Sequence, residues 1–232
     1  MDKVALVTAA SSGMGEAIAR KLHAQGYKLV VMSASERIMP LAEELGVKYL
    51  RGSVTNLDDL RQLVALAQTS CGRIDVVVNN TGHPPKGDLL KITDEEWLAG
   101  MELVLLNVIR MARLVTPIMQ NLGGGSIINI STFAALEPSL QFPVSSTLRA
   151  ALASYTKLFA DKYGPDNIRM NNILPGFINS YPVAGEIVSQ IPLKRPGTVA
   201  EIAESVAFLA SGKAGYITGQ NIKVDGGLGR SV

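Results

Sequence analysis

Between Val4 and Val224, short runs rich in β-branched residues alternate with longer stretches whose apolar residues recur at helical spacing. Residues 4–8, 29–32, 48–50, 74–78, 126–130, 168–174 and 221–224 read as strands. Residues 13–25, 37–45, 57–69, 145–163 and 199–209 read as helices, and Thr93 with Glu96 forms a capping-box pattern that opens a further helical stretch to about Met119. Ile74-Asp-Val-Val-Val78 is apolar on both faces, as a central parallel strand must be. Seven strands with helical crossovers predict an α/β, Rossmann-type doubly wound fold, with a seven-stranded parallel sheet and helices on both faces. An eight-unit strand–helix barrel is the competitor. It requires one strand more, and it does not explain a glycine-rich turn at the first strand–helix junction.

Residues 1–232 read as a single domain, with no repeat, linker or low-complexity stretch. Apolar residues make up 47% and charged residues 18% of the chain, which excludes a disordered polymer. A net charge of +2, with no long basic run, offers no electrostatic footprint for nucleic acid or an anionic membrane. No segment approaches the ~20 apolar residues of a membrane span. The run from Val4 to Ala10 is too short for a signal peptide and leads into a glycine turn. Cys71 is the only cysteine, so neither an intrachain disulfide nor a cysteine metal site is expected, and a cytoplasmic setting follows as the default.

Strand, then Thr8-Ala9-Ala10-Ser11-Ser12-Gly13-Met14-Gly15, then helix, is the context in which a glycine turn holds a pyrophosphate. The alternative, a small-residue loop that only packs helix on sheet, stays open on this segment alone. Asn79-Asn80-Thr81-Gly82 closes the fourth strand, and Pro175-Gly176-Phe177-Ile178-Asn179-Ser180 follows the sixth. Both fall where parallel sheets bind ligands.

With these residues in view, the chain resembles the short-chain dehydrogenase/reductase family over about residues 3–227. Residues 8–15 are similar to that family's Thr-Gly-x3-Gly-x-Gly turn, with Ala9 at the first glycine. Residues 79–82 are similar to its Asn-Asn-Ala-Gly, and Asn107 matches its helix asparagine. Ile217-Thr-Gly-Gln220 and Val224-Asp-Gly-Gly227 match its C-terminal third. The resemblance implies a nicotinamide dinucleotide held by Thr8, Ser11, Ser12, Gly13, Met14, Gly15, Ser53, Val54, Asn80, Thr81, Gly82, Arg149, Pro175, Gly176 and Ile178. It also implies a small-molecule substrate and a homotetramer or homodimer. The acidic residue that selects NAD(H) is replaced by Ser33. Loss of that carboxylate, with Ser33, Ser35 and Arg37 available for a 2′-phosphate, favours NADP(H) over NAD(H).

The family's catalytic serine, tyrosine and lysine positions hold Thr132, Ser145 and Arg149 here, beside Asn107. Thr132 still donates a hydrogen bond, and Arg149 keeps a fixed charge on a different geometry. Ser145 has no accessible acid dissociation near pH 7, so the family's proton transfer does not carry over. His83, after the Asn-Asn-Thr-Gly segment, and Tyr181, after the Pro-Gly loop, are conceivable substitutes, weighed against ordinary surface roles. Tyr155 and Tyr163 read as structural. The short stretch between Ser180 and Ile191 implies an abbreviated lid and an open pocket. Two functions follow: an oxidoreductase with altered acid–base chemistry, or an idle dinucleotide binder acting as a sensor or partner subunit.

Overall fold

A computed structural model of the chain describes residues 2–231. The seven strands are β1 (Val4–Thr8), β2 (Lys28–Ser33), β3 (Lys48–Arg51), β4 (Val76–Asn79), β5 (Gly125–Ile130), β6 (Ile168–Pro175) and β7 (Asn221–Val224). The helices are α1 (Gly13–Ala24), α2 (Ile38–Leu45), α3 (Leu57–Cys71), α4 (Asp94–Met101), α5 (Asn107–Asn121), α6 (Pro143–Tyr163), α7 (Gly185–Gln190) and α8 (Val199–Ala210). All strands run parallel in the order β3-β2-β1-β4-β5-β6-β7. The order reverses between β1 and β4, so the crevice at their carboxyl ends is the topological switch point.

Alternation along the strands feeds two cores. Ala5 and Val7 face Ile18 and Leu22 of α1 and Ile202 and Val206 of α8. Leu6 and Val77 face Leu60 and Leu63 of α3, Met111 and Val115 of α5, and Phe159 of α6. A buried side-chain amide ladder also crosses the sheet. Asn79 Nδ2 donates to Asn129 Oδ1 at 2.9 Å, Asn129 Nδ2 to Asn172 Oδ1 at 2.9 Å, and Asn172 Nδ2 to Asn221 Oδ1 at 2.7 Å. Thr156 of α6 donates to Asn172 Oδ1 at 3.0 Å, which fixes this helix on the sheet. Each amide satisfies a neighbour that burial would otherwise leave unpaired.

Three local features differ from the sequence reading. β4 begins at Val76 because Asp75 turns its carboxylate to the Val4 N–H at 2.8 Å and to Arg73 at 2.6 Å. The stretch after the Thr93–Glu96 capping box is not one helix: a π-helical turn, Glu102–Leu106, separates α4 from α5. A third apolar cluster, with Val104 of that turn against Val144 and Leu148, seats the first turns of α6. The segment after Ser180 carries α7, a surface helix with no buried residue.

Candidate active site

At the end of β1, the Thr8 hydroxyl donates to the Asn80 carbonyl at 2.7 Å and accepts the Asn80 N–H at 3.0 Å, so the ends of β1 and β4 are joined. The chain then turns through Ala9 at φ 45 and Gly13 at φ 57. Gly15 is dictated by packing: a Cβ there would lie 2.1 Å from the Ala9 carbonyl oxygen. Ser12 caps α1 in extended conformation, and its side chain makes no capping hydrogen bond. Its hydroxyl and the first N–H groups of the helix are therefore free for an anion.

This turn forms one end of a cavity of about 720 Å³. Ser11, Ser12, Gly13, Met14 and Ser33 line it there; Asn80, Thr81 and Gly82 follow from β4; Pro175, Gly176 and Ile178 close it from β6. The opposite wall is Ser131 and Thr132 after β5, with Ser145 and Arg149 one turn apart on α6. Pro143 opens that helix at a position where a missing N–H costs nothing. Of the residues the sequence singled out, Thr8, Gly15 and Asn107 do not line the cavity: the first two shape the turn, and Asn107 is buried at the start of α5. Ser35, Arg37, Ser53 and Val54 also lie outside the lining.

Ser33 Oγ lies 2.8 Å from Ser11 Oγ and accepts the Ser35 N–H at 3.3 Å, coupling the glycine turn to the end of β2. Ser35 Oγ in turn accepts the Arg37 N–H at 3.3 Å. Ser53 N–H donates to Asp59 at 2.8 Å, so this loop is pinned from α3. Sequence reasoning missed Arg51. It pairs in register with Ser33 across β2 and β3 and forms a 3.0 Å ion pair with Glu36. Strand register, which a single chain does not display, was the missing signal.

Arg149 is buried, and its Nη1 donates to the Ile130 carbonyl at 2.6 Å. Burial draws its pKa down to about 10, which leaves it charged at neutral pH. Its Nε has no partner among the described residues, nor do Thr81 Oγ1, Ser131 Oγ and Asn107 Oδ1; Gln68 Nε2 completes that group of buried unpaired atoms. Buried polar atoms are rarely left unpaired, and three of these five belong to cavity-lining residues. Room exists as well, since a Cβ on Gly82 would meet nothing within 4 Å. Donors, acceptors and space together fit an elongated polar ligand with anionic groups at the helix terminus, as a dinucleotide has.

No phenol stands on the Thr132–Ser145–Arg149 wall. Tyr155 and Tyr163 pack around Phe159, with ring centroids 6.4 and 4.6 Å away. His83 and Tyr181 do line the cavity, at its mouth, with centroids 5.8 Å apart. Partial desolvation, then the charges of Lys86 and Arg149, hold the His83 imidazole below its ordinary pKa. Tyr181, Pro182 and Val183 line the cavity, and α7 beyond them stays on the surface.

The profile of a family described as enoyl-(acyl carrier protein) reductase matches residues 8–229. Nodulation protein G of a Rhizobium species is 36% identical over 97% of this chain and 96% of its own. The 3-oxoacyl-(acyl-carrier-protein) reductase of Staphylococcus epidermidis is 33% identical over 98% and 99%. Among solved structures, YwfH, an NADPH-dependent reductase involved in bacilysin biosynthesis, superposes with a TM-score of 0.95 at 30% identity over all of both chains. L-sorbose reductase of Gluconobacter frateurii, solved with NADPH and L-sorbose, gives 0.88 at 30% identity, covering 100% of this chain and 98% of that one. The chain belongs to the short-chain dehydrogenase/reductase family of oxidoreductases.

Proposed function

We propose that the protein is an NADP(H)-dependent oxidoreductase that moves a hydride to or from a small carbonyl, alcohol or imine carbon without a tyrosine as proton donor. The observation that supports this is a single cavity running from the Ser12–Gly13 turn to a wall of Thr132, Ser145 and Arg149. The nicotinamide, when bound, supplies or accepts the hydride. Thr8, Ser11, Ser12, Gly13, Met14 and Gly15 form or shape the pyrophosphate cradle; Asn80, Thr81, Gly82, Pro175, Gly176 and Ile178 enclose the remainder. Ser33, Ser35 and Arg37 at the end of β2, with Ser53 and Val54 beside them, take the adenosine end. NADP(H) is favoured over NAD(H) because Ser33 leaves the end of β2 without a carboxylate and Glu36, three residues on, is already paired with Arg51.

Arg149 combines two tasks: its fork reaches a ribose diol, and its charge stabilises negative charge developing at the reacting centre. Thr132 and Ser145 donate hydrogen bonds to that centre, and Ser145 or an ordered water bridges to the reacting atom. A substrate that is already electrophilic, such as a protonated imine, needs no proton from the protein. The test is turnover by wild-type protein and Ser145→Ala with NADPH across the neutral pH range. Ser145→Ala should lower kcat by about 10²-fold, the usual cost of one lost oxyanion donor, with no change in pH profile. A displaced profile would make Ser145 part of a proton relay instead. A wild-type protein without turnover, which gains it through Ser145→Tyr with Arg149→Lys, would establish the idle dinucleotide binder.

A further inference from the structure

We infer that the substrate half of the cavity takes a small organic carboxylate with an apolar body, its carboxylate seated among Lys86, His83 and Arg149. The inference rests on the proposed reductase reading for the location of the reacting centre, but its charge argument does not. Among the described residues, no Asp or Glu lines this cavity, whereas Lys86, His83 and Arg149 all do. Arg149 has no carboxylate partner, and its one hydrogen bond goes to a carbonyl. A desolvated guanidinium without a counter-ion is costly, and a bound anion removes that cost. Lys86 is likewise in no ion pair among the described residues; its Nζ stands 4.9 Å from the Phe142 ring centroid. Arg20, Arg73, Arg110 and Arg195 hold carboxylates, and Arg169, another arginine that bonds only carbonyls, spreads over three of them where Arg149 has one.

The dinucleotide's own phosphates belong to the α1 terminus, at the other end of the cavity from the α6 wall. A wall of one sign, backed by apolar surface, raises the local concentration of oppositely charged small molecules. The apolar surface is present: Phe133 and Phe177 pack with centroids 5.6 Å apart, and Phe142 lies beneath Lys86. The His83 imidazole is held below its ordinary pKa first by desolvation and then by the charges of Lys86 and Arg149, which places both cations close enough to act on it.

The experiment is calorimetric titration of the full chain, with and without saturating NADPH, using three probes of matched body: 3-phenylpropanoate, 3-phenylpropanamide and 3-phenylpropyl phosphate. The carboxylate should bind about tenfold or more tightly than the amide in both conditions, the value of one charge-assisted hydrogen bond. Lys86→Met should remove several-fold of that preference without moving the thermal midpoint. Equal binding of acid and amide, or no binding of the acid, overturns the inference. So does a preference for the phosphate that NADPH abolishes, because the cations would then serve the dinucleotide. The NADPH titration itself reports separately on the reductase reading.

Discussion

Ala9 occupies left-handed backbone at φ 45, where the family turn carries glycine. The side chain costs ~1–2 kcal/mol there, partly offset because glycine loses ~0.5–1 kcal/mol more entropy on folding. Ala9→Gly should therefore stabilise the protein by up to about 1 kcal/mol in urea unfolding, and a loss of stability would show that the turn relaxes elsewhere. Gly82→Ala separates stability from binding. Its Cβ meets open space, so the unfolding midpoint should stay in place while dinucleotide affinity falls; unchanged affinity would put the ligand elsewhere. Arg149 gives the opposite trade. Removing a buried, unpaired cation by Arg149→Met should raise the stability of the ligand-free protein by about 1 kcal/mol or more while abolishing turnover. His83 adds a pH signature. Its folded pKa lies below the ordinary value, so the unfolded chain binds the proton first as pH falls. The contribution of His83 is thus complete above its ordinary pKa and declines as acid approaches its folded value. An NMR titration of His83 should give a midpoint below that of an exposed histidine, and a raised one would contradict the cationic surroundings.

At the scale of elements, α6 is the part that makes a site possible, because it carries Ser145 and Arg149 together. Thr156 ties it to the asparagine ladder and is fully buried. Thr156→Val would leave Asn172 and Asn129 short of a partner, which should cost ~1–3 kcal/mol of stability and lower kcat more than substrate affinity. Much at this scale was legible in the sequence. The seven strands, the Thr93–Glu96 and Gly13–Gly15 signals, and the Ser145–Arg149 spacing are local patterns of period 2 or 3.6. What was not legible depends on partners distant in the chain. The π turn at Glu102–Leu106 arises where Val104 must meet Val144 and Leu148, and no propensity in Glu-Leu-Val-Leu-Leu announces it. Lys86 and Ser131 join the cavity only through the pairing of β4 with β5, just as Arg51 meets Ser33 only through β3.

For the whole molecule, the parallel sheet brings loops from β1, β2, β4, β5 and β6 to one edge, and the cavity follows from that order. No described helix is long and apolar enough to cross a membrane. Leu158 on α6 and Phe208 on α8 remain 66% and 43% exposed, on the surfaces through which the family resemblance implies a dimer or tetramer. Light scattering on the purified chain should return one of those masses, and a monomer would contradict the assembly but not the site. The central claim is that this cavity holds NADP(H), and its most direct test is a side-by-side fluorescence titration of the purified protein with NADPH and NADH. The expected result is saturable binding of both, with NADPH tighter by roughly tenfold or more through its 2′-phosphate. Binding of neither would mean that Ala9 and Ser53 have disabled the cradle, and the oxidoreductase reading would fall with it.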